Sequence, residues 1–185
     1  LFRTTSIDTT EVVKELLKGF INKPQFSHEL SEPPGYIIEL MSGLFSNGHC
    51  QERDELGQVI FKQYPDIVNV LNSQAAALLN LEKFTEAIKI YHMIIALFPE
   101  ESITYNNLGV AHHQQGNDLE AVKNYNLAIR FNSDYIAAYH NRGIALYDLG
   151  EKELARKSYH QAIDLDPLHV DSHMNLANVY ASIHC

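Results

Sequence analysis

The sequence predicts an all-α fold, a solenoid of antiparallel helix pairs, and three observations predict it. A segment Tyr105-Asn-Asn-Leu-Gly109 returns 34 residues later as Tyr139-His-Asn-Arg-Gly143. At the same offset Gly116 returns as Gly150, Ala121 as Ala155, Tyr125 as Tyr159 and Ala128 as Ala162. Helix-stopping prolines fall on the same period, with Pro65 one repeat before Pro99 and Pro167 two repeats after it. Small and large residues locked to one period mark a repeat architecture, in which no unit buries its apolar face alone and each needs its neighbours.

Taken in order, residues 1–9 read as a frayed end. A helix is expected from Thr9 or Thr10 to Ile21, with Val12, Val13, Leu16, Leu17, Phe20 and Ile21 on helical spacing and Pro24 beyond its end. Residues 23–35 form a linker broken at Pro33-Pro34-Gly35, so 1–33 is an N-terminal helix and linker. Residues 34–67 are a degenerate repeat, with Gly57 where later copies carry an aromatic. Clearer copies follow at 68–101, 102–135 and 136–169, and 170–185 repeats only a first helix. Gly109, Gly143, Ala75 and Ala177 are small because two helices cross closely there, and Ala121 and Ala155 serve the second helix in the same way. Tyr91, Tyr125 and Tyr159 fill the gap toward the next pair. The apolar run Met93, Ile94, Ile95, Leu97 and Phe98 reads as packing between repeats rather than an exposed patch.

These residues resemble the tetratricopeptide repeat (TPR), over 68–169 and more weakly on either side. The family pattern appears as Tyr105-x2-Leu108-Gly109, Ala121-x3-Tyr125 and Ala128, and again as Tyr139-x2-Arg142-Gly143, Ala155-x3-Tyr159, Ala162 and Pro167. Departures are Arg142 where Leu is usual, His112 where Tyr or Leu is usual, and Ser133 in place of the closing Pro. The resemblance implies a right-handed superhelix whose first helices line a concave face, and a protein-interaction scaffold that binds an extended segment of a partner there.

Composition narrows the classes. The chain is 45% hydrophobic and 20% charged, a balance that excludes wholesale disorder. A net charge of −9 argues against a nucleic-acid partner, whose phosphates need clustered cations. No apolar run approaches the ~18 residues of a membrane-spanning helix, so no membrane partner is expected. Cys50 and Cys185 form no disulfide framework or metal pair and no N-x-Ser/Thr acceptor occurs, which predicts a reducing, cytoplasmic setting. There is no phosphate-cradling Gly loop, no G-x-S-x-G elbow and no Cys/His nucleophile pair. The sequence thus assigns no catalytic residue and no cofactor. His169 with His173, and His112 with His113, have metal-like spacing but no carboxylate or thiol arranged to complete a set, so no metal is assigned.

The candidate site lies on the first helices. Asn107, Asn141 and Asn175 occupy one slot at successive repeats, with Ser73 in that slot earlier. Each amide offers both donor and acceptor to a peptide main chain. The column resembles the asparagine ladder in the repeat region of O-GlcNAc transferases. Asn72, Asn106, His113, His140, Tyr147 and Asn178 are expected on the same face, giving a neutral, amide-rich groove. Repeats that clamp acidic chaperone tails carry Lys and Arg on these helices. Here those places hold Asn106, Val110, Asn141, Asp171 and Asn175, which argues against such a clamp. The half-repeat at 170–185 motivates two further expectations. One is a substrate-recruiting arm of a larger enzyme, such as a glycosyltransferase with its catalytic domain beyond Cys185. The other is self-association as a homo-oligomer through the uncapped helix 170–182, with Met174, Leu176 and Tyr180 meeting a mate.

Overall fold

The computed structural model describes residues 66–183. Among them it holds seven α-helices and no strand: α1 (Ile67–Asn80), α2 (Phe84–Leu97), α3 (Ser102–Gln114), α4 (Asp118–Phe131), α5 (Ile136–Asp148), α6 (Lys152–Leu165) and α7 (Val170–Ile183). The chain divides into two compact units, residues 1–71 and 72–185, and α2 to α7 belong wholly to the second. The helix expected at 10–21, the linker, nearly all of the degenerate repeat 34–67 and both cysteines lie outside the described residues. No helix among the described residues is long and apolar enough to cross a membrane.

The period of the sequence is a period of structure. First helices begin at Ser102, Ile136 and Val170, and second helices at Phe84, Asp118 and Lys152, each 34 residues after the last. Three-residue turns join the members of a pair and four-residue links join pair to pair. Each helix from α2 onward packs on the next in sequence. The first helices α3, α5 and α7 also touch one another in succession, so they form one wall.

Glycine sets the turn within a pair. After α3, Gly116 (φ 76°) donates its N–H to the His113 carbonyl at 2.8 Å and Asn117 donates to that of His112 at 2.9 Å. Gly150 (φ 81°) and Glu151 repeat the arrangement on Tyr147 and Leu146 after α5. This is the Schellman closure, which satisfies helix-end carbonyls and needs a left-handed residue. After α1 the same slot holds Glu82 at φ 59°, a conformation that costs a side-chain residue energy.

Between the members of a pair, the missing glycine side chain is the space a ring occupies. A Cβ on Gly109 would stand 2.5 Å from Cε1 of Tyr125, and one on Gly143 2.5 Å from Cε1 of Tyr159. Both rings are buried, as is Tyr91, and Ala121, Ala128, Ala155 and Ala162 are fully covered. Tyr159 packs in a cluster with Leu146, Ala155, Leu176 and Val179. Tyr105 stacks on Phe131 and donates its hydroxyl to the Pro99 carbonyl, tying the start of α3 to the preceding link. Met93 and Ile94 are buried, in keeping with a packing role for that run.

Two expectations are corrected. Ala177 is exposed rather than closed over by a crossing helix, because among the described residues no second helix follows α7 to cover that slot. Leu176 packs inward against the Tyr159 cluster, so it does not belong to an open face awaiting a mate. Met174 and Tyr180 remain exposed on α7.

Candidate functional site

The first helices carry a continuous file of amides, and it is wired differently from a simple column. Asn141 on α5 donates its Nδ2 to Oδ1 of Asn106 at 3.0 Å, and Asn106 donates to Oδ1 of Asn107 at 3.4 Å. Asn107 donates to Oδ1 of Asn72 at 3.4 Å, and Asn72 donates to the Thr104 hydroxyl at 3.0 Å. Each amide in the file gives one hydrogen bond and those between take one, which satisfies polar groups that burial would otherwise penalise. Asn72 and Asn106 are buried beneath it, at 6% and 5% exposure, while Asn107 and Asn141 are half-buried. The internal bonds leave Asn141 with its carbonyl oxygen and second N–H.

A second polar cluster lies where α5 meets α7. The buried Ser172 hydroxyl is 3.0 Å from Nδ1 of His140 and 2.8 Å from Nδ1 of His169, whose rings meet edge to face. Ser172 also donates its backbone N–H to Nδ1 of His169 at 3.3 Å, so that nitrogen serves as an acceptor. Burial holds His140 below the usual histidine range, His169 beside it pushes the same way, and Asp171 opposes. Asn175 lies apart from the amide file, near the Tyr159 hydroxyl; burial raises the Tyr159 pKa, and Asn175 works against that rise.

Of the residues expected at the site, the structure joins Asn72, Asn106, Asn107 and Asn141 in one network and puts His140 in another. Ser73 and Asn178 are exposed, and Tyr147 is half-buried against the Tyr159 cluster. His113 faces two carboxylates: its Nδ1 is 2.6 Å from Oδ1 of Asp118 and its Nε2 3.9 Å from Oδ2 of Asp148.

These three residues have the chemistry of a metal-ligand set, with donor atoms all within 4.8 Å of one another. The two carboxylates, however, engage opposite ring nitrogens. A single ion takes one nitrogen, and the other carboxylate then orients the ring. The histidines with metal-like sequence spacing are occupied otherwise. His169 is bound to Ser172, and Nε2 of His173 to the Pro167 carbonyl at 3.0 Å. His112 has its Nδ1 buried without a hydrogen-bond partner, and burial lowers its pKa.

Thr104, Ser172, Asp118 and Asp148 contact the candidate residues, and the repeat pattern does not reveal them. The signal for them is a contact spacing distinct from the repeat period. Asn72 with Asn107, Asn106 with Asn141, and His113 with Asp148 are 35 residues apart, while Asn72 with Thr104 and His140 with Ser172 are 32 apart. Facing side chains on adjacent first helices therefore sit one residue long or two short of the period.

Known proteins share this architecture. Family models match residues 113–150 as "TPR repeat" and residues 136–169 as "Tetratricopeptide repeat". No curated protein matches the chain. Among solved structures, the first TPR of Spaghetti (RPAP3) bound to the HSP90 peptide SRMEEVD is 25% identical with a TM-score of 0.60, over 63% of this chain and 92% of that one. The first TPR domain of human RPAP3 is 25% identical with a TM-score of 0.62, over 65% and 94%. MamA, at 19% identity and a TM-score of 0.60 over 78% and 84%, shares the fold. Residues 113–169 match the models of the tetratricopeptide repeat, and the described fold is the all-α fold of that repeat.

Proposed function

We propose that the chain is a protein-interaction scaffold whose first helices hold an extended peptide of a partner protein, with repeat units at 68–101, 102–135 and 136–169. The observation that carries this reading is the amide file. Asn72 and Asn106 are buried and fix their neighbours, so that Asn107 and Asn141 are pre-positioned donors and acceptors at the surface. Pre-positioned polar groups lose little entropy on binding. Asn175, Ser73, Asn178, His113, His140 and Tyr147 would extend the groove on either side.

The first TPR of RPAP3 binds a peptide with two Glu and a terminal Asp, and that supports a peptide ligand here. It does not support an acidic one. Arg142 is the lone Lys or Arg on α1, α3, α5 and α7, and it turns to Ser158 and Asn126 instead. A neutral main chain, read by amides, fits better. The test is selection of peptides from a random library on the full chain, followed by affinity measurement with Asn107, Asn141 and Asn175 changed to Ala. Melting is measured separately, because two of the three amides also bind neighbours. A loss of about tenfold or more in affinity at retained fold supports the reading; equal affinity ends it.

A second reading, self-association, is favoured by the exposure of Leu168 (85%), Val170 (65%) and Met174 (62%) at the start of α7. Light scattering on the chain with Val170 and Met174 changed to Ser decides it, since a monomer in both forms removes it. The O-GlcNAc-transferase-like role of a substrate-recruiting enzyme arm uses the same amides and predicts the same peptide result.

A further inference from the structure

Arg142 stands where these repeats ordinarily carry Leu, and the structure gives that departure a use. Its side chain leaves the amide file and enters a cleft of about 570 Å³ bounded by α4, α5 and α6. There Nε donates to the Ser158 hydroxyl at 3.0 Å and Nη1 to Oδ1 of Asn126 at 2.8 Å, with the guanidinium 5.2 Å from the centre of the Tyr139 ring. Two of its five N–H groups are thereby used, and none meets a carboxylate among the described residues. Partly buried charges are normally paired, because desolvation without a counter-charge is costly. Here the counter-charge is missing from a protein whose net charge is −9.

The rest of the lining adds one cation and one anion, so that with Arg142 the cleft keeps a net positive charge. Lys157 lines it without an ion pair among the described residues, and His160 lines it with Nε2 engaged by the Tyr180 hydroxyl. Asp164 is the one acidic residue of the lining and offsets a single cation. Val122, Leu146 and Leu154 supply apolar wall, and the volume is within the range of small-ligand sites, roughly 300–1,000 Å³.

We infer that this cleft binds a phosphate monoester, with the Arg142 fork and the Lys157 ammonium on its oxygens and an apolar substituent against Val122 and Leu146. Three free guanidinium N–H groups together with an ammonium exceed what one carboxylate accepts, and a tetrahedral dianion has the oxygens to use them. Burial lowers the Arg142 pKa and the neighbouring Tyr139 works the other way, while no carboxylate among the described residues pairs with the guanidinium. The site shares no residue with the amide file and stands independently of the peptide reading.

The experiment is titration of the full chain with inorganic phosphate, phenyl phosphate, a phosphoserine peptide and acetate, read by amide and Arg side-chain NMR shifts. Saturable shifts at Arg142, Lys157 and Ser158 are expected with the phosphates. Arg142→Leu, which restores the usual repeat residue and so preserves folding, should weaken binding at least about tenfold; Lys157→Ala is a second variant that leaves the core untouched and should weaken it less. Tighter binding of phenyl phosphate than of the peptide assigns a free phosphorylated molecule, and the reverse order assigns a phosphorylated chain. Both support the site. Absence of saturable shifts, equal binding by acetate, or Arg142→Leu binding like the parent overturns it.

Discussion

Replacing Gly143 by Ala tests the packing of the helix pair directly. The new methyl carbon would lie 2.5 Å from Cε1 of Tyr159 and 2.8 Å from Cδ1 and Cζ, about 1 Å inside ordinary carbon–carbon contact at roughly 3.5–4.0 Å. Relief requires the ring or a helix to move. The ring is 2% exposed and walled by Leu146, Ala155, Leu176 and Val179, so it has nowhere to swing. The helices must then separate, and α7 loses contact as well because it packs on the same ring. Overpacking of this kind costs about 1–3 kcal/mol, and a clash on three atoms of an immobile ring belongs near the upper end. Alanine returns about 1 kcal/mol of helix propensity inside α5. The net loss is therefore about 2 kcal/mol, or a fall in Tm of roughly 4–8 °C for a chain of this length. Thermal melting by circular dichroism measures it, with hydrogen exchange to place the loss in α5–α7, since stacked repeats need not melt in one step. Tyr159→Leu in the same chain should recover part of the loss. A Gly143→Ala protein more stable than the parent would refute the reasoning, because only the propensity gain would then operate.

Other outcomes rest on single residues. Glu82→Gly should raise stability by about 0.5–1 kcal/mol in denaturant titration, because φ 59° is a left-handed conformation that glycine takes without penalty in the equivalent turns at Gly116 and Gly150. Tyr91→Phe should stabilise by roughly 1 kcal/mol: the Tyr91 hydroxyl is buried without a partner, and burial pushes its pKa up to about 12. His112 and His140 both have pKa values lowered chiefly by burial, so the unfolded chain binds the proton more readily than the folded one. Their contribution is fully present above the unfolded histidine value near 6.5 and is lost as pH falls through it toward the lower folded values. Melting across that range should show the decline, and His112→Leu should flatten part of it.

Much of this fold is legible in the sequence because repetition amplifies weak signals. One glycine predicts little, but Gly109 and Gly143 paired with Tyr125 and Tyr159 at one offset specify a close crossing and the ring that fills it. Gly116 and Gly150 announce the turns in the same way. The amide site is only half legible. A period of 34 says which residues are equivalent, whereas contact between neighbouring first helices occurs at 32 and 35, so Asn107 and Asn141 share a column in sequence and in the fold are tied to the column beside it. Ala177 departs from expectation for a related reason: equivalence by period assumes a complete set of neighbours, and the described residues supply none beyond α7, whereas Leu176, two periods after the buried Leu108, is buried as its slot requires. Arg142 reads as a packing defect because its sequence slot is apolar, and only the cleft shows where a long side chain can go.

The file from Asn141 to Thr104 also has a sense of direction. Every carboxamide hands a proton donor to the one ahead, so turning one end over end would set donor against donor and oxygen against oxygen at its joints. The members must reverse together or not at all, and a substitution in one hairpin is felt as an orphaned group in its neighbour. Copies coupled in this manner are not interchangeable beads. They can drift only in matched steps, and an engineer who shuffles or deletes one hairpin must repair the joint on both sides.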